Sequence, residues 1–134
     1  MSPSAPLIAM VDDDTAVVQL VSAFLEARGY RTTSCHQSAA ALPLILSTHP
    51  KLVLLDIQME AWDAGLQILA ALRQQEATRR LPVIVCSANL PLLRQQEQTI
   101  RAFGAMTVAK PYTLDALLAA VEVALGQAPA QLAQ

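Results

Sequence analysis

The 134-residue sequence predicts an α/β fold: a three-layer α/β/α sandwich around a five-stranded parallel sheet. Short runs of strand length, Leu7–Val11, Arg31–Cys35, Leu52–Leu55, Pro82–Cys86 and Met106–Ala109, alternate with longer segments of helical spacing. The runs read as almost wholly apolar, the mark of strands covered on both faces, and parallel neighbours need a crossover helix between them. Glycines punctuate the same division. Gly29, Gly104 and Gly126 fall where a helix should stop, and a residue without a Cβ relieves the left-handed turn there.

The first helical segment carries Val17, Leu20, Val21 and Phe24 on one stripe; the last carries Leu114, Leu117, Leu118, Val121 and Leu125. Asp14, Ser38 and Thr113 each stand just before a helical pattern, where a side-chain oxygen accepts from the first free backbone N–H groups. Pro43 lies inside the second helix, where it removes a backbone bond and crowds the preceding turn. That helix is therefore expected to be kinked, late-starting or short. The fourth segment has a weak stripe, because Gln96 falls where Leu93, Ile100 and Phe103 want an apolar partner, and half-exposure is expected. Residues 1–126 form one domain on this reading, residues 127–134 a tail, and Met1–Pro6 a frayed start.

Hydrophobic residues make up 54% of the chain and charged residues 15%, which excludes a disordered polymer and predicts a densely buried fold. The net charge of −2 provides no basic field for a nucleic-acid backbone. Apolar stretches such as Ala116–Val121 fall short of the ~20 residues that span a bilayer, and the N-terminus lacks the charged start of a secretion signal. The expectation is a cytoplasmic protein with neither nucleic acid nor membrane as partner. Two cysteines, Cys35 and Cys86, make no disulfide framework and read as inert thiols in apolar runs. His36 and His49 lack metal-ligand neighbours and read as surface or loop residues.

In an open parallel sheet, ligands bind outside the carboxyl ends of the strands. The sequence puts Asp12, Asp13 and Asp14 after the first strand, Asp56 at the end of the third, Ser87 at the end of the fourth and Lys110 at the end of the fifth. Five of the six aspartates, counting Asp63, lie on this edge or its loops. Carboxylates gathered this way repel one another and raise one another's pKa unless a cation sits among them. Oxygen-only ligands suit a hard divalent ion, and Mg²⁺ takes one or two carboxylates plus a phosphate oxygen. Asp56 then reads as a nucleophile for a phosphoryl group, Lys110 as the cation that neutralises a phosphoryl oxygen, and Ser87 as a hydrogen-bond donor to another.

The segments Met10-Val11-Asp12-Asp13-Asp14, Leu54-Leu55-Asp56-Ile57-Gln58-Met59, Pro82-Val83-Ile84-Val85-Cys86-Ser87-Ala88 and Lys110-Pro111-Tyr112 resemble, in order and spacing, the receiver domain of two-component response regulators. The resemblance runs from about Leu7 to Leu125. It implies a flavodoxin-like doubly wound sheet in the order 2-1-3-4-5. It also implies Mg²⁺ held by Asp12, Asp13, Asp56 and the backbone carbonyl of Gln58, and phosphorylation of Asp56 by a sensor histidine kinase or phosphotransfer protein. Ser87 and Lys110 would contact the phosphoryl group. The chain would catalyse only its own phosphorylation and slow dephosphorylation, with Gln58 and Asn89 as candidate rate-setters, and would switch affinity for a downstream protein or a second copy of itself. The responding surface would be the fourth and fifth helical segments with the fifth strand.

Three departures from the family pattern stand out. Glu60 occupies a position that is usually proline; Ala64 separates Asp63 from Gly65, lengthening that loop by one residue; and the switch aromatic expected three positions before the lysine is Thr107. The altered loop also carries Trp62, either a partner contact or a side chain packed back on the loop. Two other functions compete. One is a phosphorylation-independent binding module that docks through Glu60–Ala64; the intact Asp13, Asp56 and Lys110 oppose it. The other is an aspartate-nucleophile phosphatase, which needs an acid/base carboxylate two residues after the nucleophile, where this chain has Gln58.

Overall fold

The computed structural model describes residues 4–126; the expected tail, 127–134, and the start, Met1–Pro3, lie outside them. Five strands, β1 (Leu7–Val11), β2 (Arg31–Cys35), β3 (Leu52–Asp56), β4 (Val83–Ser87) and β5 (Met106–Ala109), form one all-parallel sheet in the order β2-β1-β3-β4-β5. Helices α1 (Thr15–Glu26), α2 (Ala41–Thr48), α3 (Ala64–Gln74), α4 (Leu90–Gln95), α5 (Glu97–Ala102) and α6 (Leu114–Ala124) flank it. None is long and apolar enough to cross a membrane.

The alternation of side chains along each strand sorts the core into two layers. Ala9, Val11, Val53, Leu55, Val83 and Val85 face α2, α3, α4 and α5. Ile8, Met10, Leu52, Leu54, Ile84 and Cys86 face α1 and α6, meeting Val21, Leu25, Leu117 and Val121. The central strands β3 and β4 are buried at every position. β2 departs from the expected apolar run. Its sequence, Arg-Thr-Thr-Ser-Cys, is half-buried apart from exposed Ser34, because an edge strand needs cover on only part of its surface. Cys35 is accordingly only partly buried, whereas Cys86 is buried in the core and its thiol is pushed up to about 12 by burial.

Helix boundaries follow local chemistry closely. Asp14 caps α1 by accepting from Ala16 N and Val17 N, and Thr113 caps α6 through Ala116 N. Gly29, Gly104 and Gly126 have positive φ where the chain leaves a helix. Pro43 has the anticipated consequence: a 3-10 turn (Ser38–Ala40) precedes an α2 of only 8 residues, which ends on His49 at φ 51. Ser38 does not cap that helix with its side chain; it turns to Glu60 instead. The fourth helical segment divides at half-buried Gln96, which leaves helical geometry at φ −102, ψ 6 between α4 and α5. Leu92, Leu93 and Ile100 still bury on either side of the break. The start of the described chain is tied down rather than frayed, since Ala5 O accepts from Arg31 Nε and Pro6 O from Arg31 N.

Candidate functional site

Strand register levels the four strand ends that carry the chemistry. Val11 pairs with Leu55, Asp56 with Cys86 and Ser87 with Ala109. Backbone bonds continue this alignment past the strand ends, from Asp12 N to Cys35 O, from Ile57 N to Cys86 O and from Lys110 N to Ser87 O. Residues nearly a hundred positions apart thereby share one notch. Four polar or charged residues are buried among those described, Asp12, Asp56, Thr78 and Ser87. Thr78 satisfies itself on Leu72 O at 2.6 Å; the other three are all in the notch.

One carboxylate oxygen from each of Asp12, Asp13 and Asp56 lies within 4.8 Å of the others, Asp12 and Asp56 buried and Asp13 exposed. Lys110 Nζ sits 2.6 Å from Asp12 Oδ2 and 3.7 Å from Asp56 Oδ2. One ammonium is thus divided between two buried carboxylates and favours the first. Burial pushes the Asp56 carboxyl up, the Lys110 charge and the Gln58 N–H pull it back, and Asp12 and Asp13 push it up again, leaving it at about 6. Burial acts on Lys110 in the opposite sense, but its hydrogen bond to Asp12 and the charges of Asp12 and Asp56 outweigh that, so its pKa is raised and it stays cationic.

The loops complete the notch. Gln58 N donates to Asp56 Oδ1 at 3.1 Å and Asp14 N to Asp12 Oδ1 at 2.9 Å, so each buried carboxylate has one oxygen held by backbone. Ser87 Oγ accepts from Asn89 N at 3.0 Å, which leaves its own proton available. Asn89 Nδ2 donates to Gln58 Oε1 at 3.1 Å while Asn89 Oδ1 caps α4, so the two proposed rate-setters bind each other across the notch. Thr107 is exposed on β5 and lies outside this network. Trp62 is 57% exposed.

Three residues matter that the sequence did not single out. His36 is the exposed loop residue expected, and its Nδ1 donates to Asp12 O at 3.0 Å, which braces the segment carrying two of the carboxylates. Tyr112 is partly buried against the core that carries Cys86, and its hydroxyl is pushed up to about 12, by burial first, with the neighbouring Cys86, Asp12 and Asp56 also raising it. Gly65 seats α3 on the end of β3. A Cβ there would lie 2.4 Å from Asp56 O and 2.5 Å from Ile57 Cα, so only glycine allows this approach.

With this geometry in view, comparison with known proteins is specific. The response regulator receiver domain family matches residues 8–122. The chain belongs to that family. This receiver is similar to the polar-differentiation response regulator DivK of Brucella ovis, 30% identical over 122 residues that cover 90% of this chain and 97% of that protein. It is also 30% identical to the DNA-binding dual master transcriptional regulator RpaA of a Synechocystis species, covering 90% of this chain but 49% of that protein. Among solved structures, the receiver superposes on the receiver domain of NtrX from Brucella abortus with a TM-score of 0.78 at 29% identity, covering 89% of this chain and 98% of that one. The Vibrio cholerae chemotaxis protein CheY4 shares the fold, with a TM-score of 0.82 at 22% identity over 91% of this chain and all of that chain.

Proposed function

We propose that this receiver accepts a phosphoryl group on Asp56 in a Mg²⁺-dependent reaction, from a histidine kinase or phosphotransfer protein, and that the phosphorylated form has altered affinity for a partner protein. The observation that carries this is the buried Asp56 carboxylate, set beside Asp12 and Asp13 with a single shared ammonium at 3.7 Å. The donors are all oxygens and their charge is unbalanced, which suits a hard cation. Asp12, Asp13 and Asp56, with the Gln58 carbonyl, would hold the ion; when bound it neutralises charge between the attacking carboxylate and the incoming phosphoryl oxygens.

The chain's own residues do the rest. An Asp56 carboxylate oxygen attacks phosphorus; an O–P bond forms and the N–P bond of the donor imidazole breaks, the electron pair leaving with that nitrogen. Asp12 competes for Lys110 in the resting site. Lys110, shared between Asp12 and Asp56, would turn to the phosphoryl oxygens beside Asp56 wherever a cation held by Asp12 offset that carboxylate's charge. Ser87 donates its hydroxyl proton to another of those oxygens. Gln58 and Asn89, joined across the opening, regulate the approach of the water that later removes the group.

Incubation with a small phosphoryl donor should add one phosphate by intact mass in the presence of Mg²⁺, almost none with EDTA, and none in Asp56→Asn. Incorporation that persists in Asp56→Asn would remove Asp56 as the acceptor.

A further inference from the structure

The loop between β3 and α3 is tethered on two sides. Gln58 binds Asn89 on one side, as described above. On the other, the Glu60 carboxylate accepts from Ser38 N at 3.0 and 3.3 Å and from the Ser38 hydroxyl. Ser38 opens the 3-10 turn that leads into α2, and neither Gln37 nor Ala40 supplies a side-chain cap to either element. Glu60 therefore serves as a cap delivered from another loop, 22 residues away in sequence. Those hydrogen bonds hold its carboxyl below the usual carboxylate range.

We propose that phosphorylation at Asp56 is relayed to the 3-10 turn and the start of α2 by release of this Glu60–Ser38 clasp; the inference rests on the phosphoacceptor role given above. Gln58 N donates to Asp56 Oδ1, two residues before Glu60. Conversion of the carboxylate to an acyl phosphate moves its negative charge out onto the phosphoryl oxygens. The Gln58 N–H loses its charged acceptor, the loop re-aims, and Glu60 is carried off a cap that depends on both Ser38 donors. The turn then loses its N-terminal partner. The clasp lies along a groove of about 290 Å³ lined in part by Ser38, Leu42, Ala61 and Asp63, so its release reshapes that face of the molecule. β5 offers no comparable link, since Thr107 is a short, exposed side chain.

Hydrogen exchange of the 3-10 turn and α2 tests this, with intact mass recording phosphate incorporation in the same samples. Trp62, the only tryptophan in the chain, reports loop movement by fluorescence two residues from Glu60. In the wild type, phosphorylation with a small donor and Mg²⁺ should raise exchange over residues 38–42 several-fold and change Trp62 emission. Glu60→Ala should incorporate phosphate equally and keep the Trp62 response. Its 38–42 exchange should already be raised and should not respond further, whereas Ser38→Ala keeps the backbone donor to Glu60 and should show only part of the rise. Unchanged exchange over 38–42 in fully phosphorylated wild type, or a wild-type response in Glu60→Ala, would overturn the relay. Absence of incorporated phosphate in the wild type would instead defeat the phosphoacceptor role, and the relay with it.

Discussion

At the carboxyl end of the sheet, Asp12 and Asp56 are buried with one lysine between them, and Asp13 stands beside them. At the amino end, Arg73 on α3 is half-buried, and its guanidinium donates to Phe103 O at 2.6 Å, Leu81 O at 2.8 Å and Thr78 O at 3.2 Å. Both ends bring charge inside. The arginine meets neutral backbone acceptors that match its donors and ties three segments together. The carboxylates meet one another, and their shared cation does not balance them. The contrast separates a charge that holds structure from charges kept available for a ligand.

Removing each kind of charge should therefore have opposite consequences. A large effect is expected at the amino end: Arg73→Ala removes the side-chain donor from Phe103 O and Leu81 O, while Thr78 O keeps its bond from Leu81 N, and should cost about 2–3 kcal/mol in denaturant unfolding. Phosphate incorporation should survive wherever the variant remains folded. A loss of incorporation with unchanged stability would invert the assignment of the two ends.

A smaller effect is expected at the carboxyl end, and it depends on the cation. Mg²⁺ at ten times its dissociation constant should stabilise the wild type by about 1.4 kcal/mol, seen as a rise in Tm, whereas Asp13→Asn should abolish the rise. An equal rise in Asp13→Asn would place the cation elsewhere.

A further effect is a slope in pH. The folded-state pKa of Asp56 is raised from 3.8 to about 6, so the native state holds its proton more tightly than the unfolded chain does. Its contribution is fully present below about pH 4 and is lost as pH rises through about 6. Without Mg²⁺, wild-type stability should fall across that window relative to Asp56→Asn, and Mg²⁺ should flatten the difference. Cation affinity should weaken as pH drops through 6, because a proton competes for the same oxygen. Parallel stability curves for the two proteins in EDTA would contradict the raised pKa.

The sequence made the strand ends legible because alternating periodicities locate them, and an α/β sheet places every strand's carboxyl end on one edge. Asp12, Asp56, Ser87 and Lys110 follow from that rule alone. What escaped depends on distance through space. Ser38 has the local chemistry of a helix cap, but Glu60 supplies the capping group and Ser38 becomes the donor. His36 reads as isolated until the β1–β2 pairing brings it to Asp12 O. Gly65 is ordinary in sequence, and only the 2.4 Å approach to Asp56 O makes it irreplaceable. Gln96 signalled a weak stripe, yet the division into α4 and α5 is a backbone response that no side-chain pattern specifies. The unequal sharing of Lys110, 2.6 Å against 3.7 Å, belongs to the same class.

The central claim is that the notch makes Asp56, and neither of its neighbouring aspartates, the acceptor. Borohydride reduction of the phosphorylated protein converts the acyl phosphate to an alcohol at the modified side chain, and peptide sequencing then locates it. The account predicts reduction at position 56 alone, dependent on Mg²⁺. Reduction at Asp12 or Asp13 with Asp56 intact would contradict it.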